Sequence, residues 1–242
     1  IVGNFRKSDN TSYNSAFTYP EGGAIQYVKA LEFGVDDSKI SLNERVVSID
    51  LDAKIARTNK REISYEVLIS SMPMNKLLEL GHVPHDPDVF SYNKVLVFNL
   101  GFDRKGPEGV HWVYYPSREL CFYRTGFYDN IFGTDRMSMY VELGFPADEA
   151  ITESDVLQYR DAVLRDLKKV NVITDHELVS WHSVVLDPAY VHITRESIDA
   201  VAEAKAFLES KGVHSAGRYG SWTYCSIEDN IIEARVLAEM YS

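Results

Sequence analysis

Residues 216–224 read AGRYGSWTY, and the chain runs on as CSIEDN to Asn230. Arg218 stands between Gly217 and Tyr219. A backbone this rich in glycine can approach a ligand closely, while the guanidinium fork offers paired donors to phosphate oxygens. Residues 213–224 are expected as a loop, after which Ser226 opens a final helix. Upstream, Ile198, Val201, Ala204 and Leu208 recur at helical spacing, which predicts a helix over 196–211 with those residues inward and Gly212 as its stop.

Further toward the N-terminus, a strand is expected over 178–185. Another helix is expected from Thr152 to Lys169, opened by Thr152 with Asp155 three residues on and carrying Val156, Val163 and Leu167 on one stripe. Before it the apolar period is two. Strands are expected over 95–100, 110–115, 121–128 and 137–144, and three more across Ile40 and Leu42, Val47 to Leu51, and Ile63 to Ile69, with a turn at Asn59-Lys60. A short helix is expected over 75–80. Near the start, Pro20, Gly22 and Gly23 predict a turn, and Ile25, Val28 and Leu31 a helix closed by Gly34. Strands and helices in this order predict an α+β architecture, a mixed or antiparallel sheet with helices packed on it.

The composition narrows the function. The 36 acidic residues outnumber the 25 basic ones, giving a net charge of -11 that repels phosphate backbones, so nucleic acid is not an expected partner. An anionic ligand would need a local arginine. Cys121 and Cys225 are too few for a disulfide framework and lie in no zinc spacing, nor do the seven histidines, so no metal is expected and a cytoplasmic setting fits. No apolar run approaches the ~20 residues of a membrane span. The 15 Tyr, 11 Phe and 3 Trp include clusters at 112–128 and 219–224; tyrosine suits sugars and bases, and aromatics equally fill β-rich cores. No Gly-x-Gly-x-x-Gly turn joins a strand to a helix anywhere in the chain, so the usual seat of a dinucleotide pyrophosphate is absent from it.

Three segments together resemble the eukaryotic-type UDP-galactopyranose mutases and, more loosely, the protoporphyrinogen-oxidase and amine-oxidase flavoproteins. They are NSAFTYPEGG at 14–23, followed by strands resembling LNERVVSID and YEVLISSMP; HWVYYP at 111–116 with CFYR at 121–124; and AGRYGSWTY at 216–224. The resemblance implies a substrate-binding domain over 1–212, with the remnant of a GR2-type FAD-binding fold lacking its N-terminal Rossmann half, and a flavin-contacting motif and helix over 213–242. It implies FAD in the complete protein, not retained by this chain, and sugar-nucleotide ring isomerisation for which this chain would hold the nucleotide sugar.

By the same resemblance Arg124 and Arg218 would neutralise the diphosphate as catalytic residues. Asn14, Trp112, Tyr114, Tyr190 and Tyr224 would bind substrate, and Gly22, Gly23, Gly217, Arg218, Asp229 and Asn230 would meet the cofactor. The residues alone leave other readings open. Arg124 can be a structural ion pair, Asp229 a helix-start residue, and each aromatic a core residue. A flavin-dependent amine or protoporphyrinogen oxidase portion, or a non-enzymatic binding module, are the competing functions. Exposed apolar surface and self-association are expected where a lost half would dock.

Overall fold

The computed structural model describes residues 18–241, and Asn14 lies outside them. The chain divides into two compact units: one holds the residues up to Lys39 together with Lys94–Asp187, the other Ile40–Asn93 together with Pro188 onward. The architecture is mixed α+β, with antiparallel sheets and several helices. Among the described residues parallel pairing is confined to one two-stranded ladder, Leu68–Ser70 with Val213–Ser215, and no Rossmann-type sheet is present.

The first unit is organised by a five-stranded sheet in the order Trp112–Tyr114, Arg124–Phe127, Ser138–Pro146, Tyr92–Phe102, Leu178–Val191. The first three strands are antiparallel, and their register sets Tyr114 opposite Arg124, Arg124 opposite Glu142, and Gly126 opposite both Trp112 and Tyr140. Because side chains alternate across a strand, Val113, Phe127, Met139, Val141 and Leu143 all turn to one face. There they form the core with Phe98, Leu100 and the stripe Val163 and Leu167 of the helix Glu153–Lys169. The opposite face carries Trp112, Tyr114, Arg124, Tyr140 and Glu142.

The long helix begins as the sequence predicts. The Thr152 hydroxyl accepts the Asp155 amide at 3.2 Å, and the Asp155 carboxylate accepts the Thr152 amide at 2.9 Å. Two amides that the helix itself cannot satisfy are thereby paired. Thr152→Ala is expected to cost about 1 kcal/mol in chemical denaturation.

In the second unit a three-stranded antiparallel sheet, Val46–Asp50, Ile55–Thr58 and Glu62–Ser64, accompanies the parallel ladder. Its core joins Met74, Leu77 and Leu78 of the helix Met74–Leu80 to Leu208 of the helix Arg195–Ser210, with Phe90 set edge-on to Trp222 at 5.2 Å.

Several expectations are corrected. Ile40 and Leu42 form no strand; Asn43 takes a left-handed φ of 55° that breaks an extended run. A strand at Ile55–Thr58 appears where none was expected, and the 63–69 run divides between two sheets because Tyr65 turns to donate its amide to Lys54 O. The strand over 178–185 continues to Val191. The 213–224 loop contains a buried strand, Val213–Ser215, and a single turn of helix, Gly217–Gly220. Ile198 faces outward, since the inward stripe passes through Ser197 and Leu208. The periodic helix Ile25–Glu32 buries none of its residues, and neither does the final helix Ile227–Glu239, so Leu31, Phe33, Ile232 and Val236 are exposed apolar surface. No helix among the described residues is long and apolar enough to cross a membrane.

Candidate functional site

Arg124 lies on the face of the sheet opposite the core, its guanidinium 5.3 Å from the ring centroid of Tyr114 and 5.3 Å from that of Tyr140. Both distances fall in the range where a cation is attracted to the face of an aromatic ring. Glu142, its cross-strand neighbour, accepts from Arg124 Nη1 at 3.2 Å and from the Tyr123 hydroxyl at 2.6 Å. This ion pair is only 23% and 12% exposed at its two side chains, so it is shielded from salt far more than a surface pair.

Gly126 makes the arrangement possible. It sits opposite Tyr140, and a Cβ placed on it would overlap the Tyr140 ring itself. The missing side chain lets that ring lie down across the strand, where Tyr128 packs against it with centroids 5.4 Å apart. Burial pushes the Tyr140 hydroxyl up to about 12, with the Arg124 charge opposing the rise. Trp112 occupies the same face, and its ring leans on His111 at 6.4 Å. Tyr114 is half exposed, so one side of the face is accessible. The structure thus brings together Arg124, Tyr114 and Trp112 on one face and adds Tyr140, Glu142 and Gly126, which lie outside the segments that carry the family resemblance.

Close by in sequence, Asp129 is buried at 1% exposure with neither carboxyl oxygen at hydrogen-bond geometry to a partner. Burial raises its pKa, and nearby backbone amides and the Lys105 charge offset part of the rise. A raised folded pKa means that the unfolded chain releases this proton first, so stability falls as pH climbs through the window above the ordinary carboxylate value. Asp129→Asn is therefore expected to stabilise the protein by about 1 kcal/mol at pH 7. In thermal melts taken across pH the gain should shrink as the pH falls from the raised pKa toward the ordinary carboxylate value, and change no further below it.

In the second unit Arg218, like Arg124, lies beside two tyrosine rings. Its guanidinium lies 5.4 Å from the Tyr190 ring centroid and 4.5 Å from that of Tyr224, and Nη1 donates to Cys225 O at 3.4 Å. The Tyr190 amide donates to Asn93 Oδ1 at 3.0 Å, which fixes that strand. Arg124 and Arg218 belong to different units.

The residues expected at a flavin are otherwise engaged. Gly22 and Gly23 have φ of +83° and +96° and form the turn closed by the Gly23 amide on Pro20 O, directly before the helix Ile25–Glu32. Asp229 caps the last helix, accepting the Ser226 amide at 2.7 Å and hydroxyl at 2.8 Å, bonds that hold its carboxyl below the ordinary range. Asn230 Oδ1 accepts the Arg218 amide at 3.0 Å, and Glu233 accepts the Gly217 amide at 2.7 Å. The Gly217 and Arg218 amides are therefore taken by side chains of this chain, the Gly23 amide by a backbone carbonyl, and the sequence has no glycine-rich dinucleotide turn. Among the described residues no cluster of His, Cys, Asp or Glu could hold a metal ion. The Cys121 thiol is pushed up to about 12 by burial and by Asp166, which leaves it protonated and unsuited to attack as a thiolate.

The fold is similar to a reduced UDP-galactopyranose mutase, with a TM-score of 0.74 and 22% identity over 85% of this chain and 48% of that one. It is also similar to a putative protoporphyrinogen oxidase from Exiguobacterium sp. 255-15, with a TM-score of 0.74 and 16% identity over 90% and 50%. A third likeness is to a CLA-producing fatty acid isomerase from P. acnes, with a TM-score of 0.65 and 14% identity over 90% and 52%. The chain spans about half the length of these solved structures, and at such identities the likeness establishes the fold alone. Its sequence matches the family model of flavin-containing amine oxidoreductases over residues 5–239. With all but its outermost residues inside that match, the chain belongs to the flavin-containing amine oxidoreductase family.

Proposed function

We propose that this chain is the substrate-binding portion of a flavin-dependent, UDP-galactopyranose-mutase-like protein, and that it takes the nucleoside diphosphate of a nucleotide sugar on the sheet face carrying Arg124. The observation that carries this reading is the Arg124 guanidinium set between the Tyr114 and Tyr140 rings and oriented by Glu142. A planar cation fixed in this way presents donors in a geometry suited to phosphate oxygens. Flanking aromatic faces suit a base or a sugar ring, and Trp112 is on hand for the same purpose. Arg218, between Tyr190 and Tyr224, is a second group of the same kind, and Asn14 a further polar contact. FAD would supply the covalent and redox chemistry of such a protein. This chain's part is to bind the diphosphate and offset its charge.

Calorimetric titration with UDP, UMP and ADP tests the proposal. UDP should bind, and UMP at least tenfold more weakly, because one phosphate forgoes part of the charge-assisted contact. The family match favours an oxidase portion as the second reading. No UDP binding at millimolar concentration would remove the sugar-nucleotide assignment and leave that second reading in place.

A further inference from the structure

We infer that the turn at Gly217 and Arg218 is closed against a cofactor phosphate by this chain's own Glu233 and Asn230, so that its backbone amides belong to a structural hydrogen-bond cluster and not to a phosphate seat. The inference does not depend on the ligand proposed for Arg124.

Both oxygens of Glu233 are in use. Oε2 accepts the Gly217 amide at 2.7 Å, and Oε1 accepts the Ser221 hydroxyl at 2.9 Å. Lys205 Nζ lies 3.6 Å from Oε1 and donates to the Ser221 hydroxyl at 2.8 Å, so the carboxylate is compensated in charge as well as in hydrogen bonds. One residue on, Asn230 Oδ1 accepts the Arg218 amide at 3.0 Å, while its amide nitrogen donates to Ser226 O at 2.6 Å. Gly217 holds a φ of +77°, and a Cβ there would stand 3.2 Å from Asn230 Oδ1, which shows how closely the side chain is seated on the turn. At the start of the following helix the Asp229 amide donates to the Ser226 hydroxyl at 3.2 Å.

An anion approaching this turn must therefore displace a carboxylate and meet its charge. A tethered group competes at an effective concentration on the order of millimolar or above, so a weak external anion loses. Charge-assisted bonds of this kind to backbone amides are also the stronger sort, which adds to the barrier. The chemistry that makes a glycine-rich turn receptive to phosphate is present here and is already satisfied from within.

The test uses the isotopically labelled 242-residue chain. Hydrogen exchange and chemical shifts of the Gly217 and Arg218 amides are followed while FAD, and separately inorganic pyrophosphate, are added to millimolar concentration. Both amides should be protected, and neither should shift with either ligand. In Glu233→Ala the Gly217 amide should exchange at least tenfold faster while Arg218 stays protected. Glu233→Gln, which keeps the shape and an acceptor, should lie between the two and covers the case in which the alanine variant fails to fold. A saturable shift of either amide in the wild type would overturn the inference. So would unchanged Gly217 protection in both Glu233 variants.

Discussion

Arg124→Ala is expected to weaken UDP binding by about 10²-fold, or about 2.7 kcal/mol, because it removes the cation and the fork together. The variant takes the cation from Glu142, whose side chain is 12% exposed, and leaves it the Tyr123 hydroxyl, which will itself lower stability. Combining it with Glu142→Gln removes the orphaned charge. Affinity should remain low in the double variant while the melting temperature recovers, which separates loss of binding from loss of folding. Arg124→Lys should regain part of the affinity, since an ammonium keeps the charge without the planar geometry that fits between two rings. Raising the salt should weaken the wild type more than the alanine variant. Equal calorimetric affinities in wild type and Arg124→Ala would show that the diphosphate is bound elsewhere.

Gly126→Ala is the second large effect, and it acts without touching a charge. The new methyl would enter the space of the Tyr140 ring, so the ring must lift from the strand. Overpacking of this kind costs about 1–3 kcal/mol, and the upper end is expected here because the neighbouring atoms are a rigid ring backed by Tyr128. Displacing Tyr140 also removes one of the two faces beside Arg124, so UDP affinity should fall with stability. Tyr140→Leu in the Gly126→Ala background should restore stability in part and affinity hardly at all. A double-mutant cycle by chemical denaturation that returns no coupling would refute the packing argument.

The sequence makes some of this plain and hides the rest for physical reasons. The helix Glu153–Lys169 is legible because its signal is local: Thr152, Asp155 and a stripe through Val163 and Leu167. The places of the large strands along the chain are legible from period two, though not their order in the sheet. The strand Val213–Ser215 is not, since three residues carry no period and it exists only by pairing with Leu68–Ser70 from the other end of the unit. Ile198 misleads because helical spacing identifies a stripe without saying which neighbour covers it. At the candidate site, motif resemblance points to Arg124 with Tyr114, and to Arg218 with Tyr190 and Tyr224. It does not find Glu142, Gly126 or Tyr140, whose roles come from cross-strand register, a property of pairing that no single segment contains. Glu233 is hidden likewise: in sequence it is an ordinary exposed-looking helix glutamate, and only the fold brings it onto the Gly217 amide.

The interleaving of the two units has a kinetic meaning. Residues 40–93 must wait for residues 188–241 before the second unit can close, whereas most of the five-stranded sheet is built from one continuous stretch, 94–187. Contacts between distant segments form slowly because the entropy of closing the intervening chain is lost before they return anything. During synthesis the first unit's sheet can therefore assemble while residues 40–93, with their apolar core positions Ile49, Leu77 and Leu78, stand without the partners Leu208, Val213 and Trp222. That interval is when this polypeptide is most open to aggregation and to chaperone capture. It ends as the ladder between residues 68–70 and 213–215 joins.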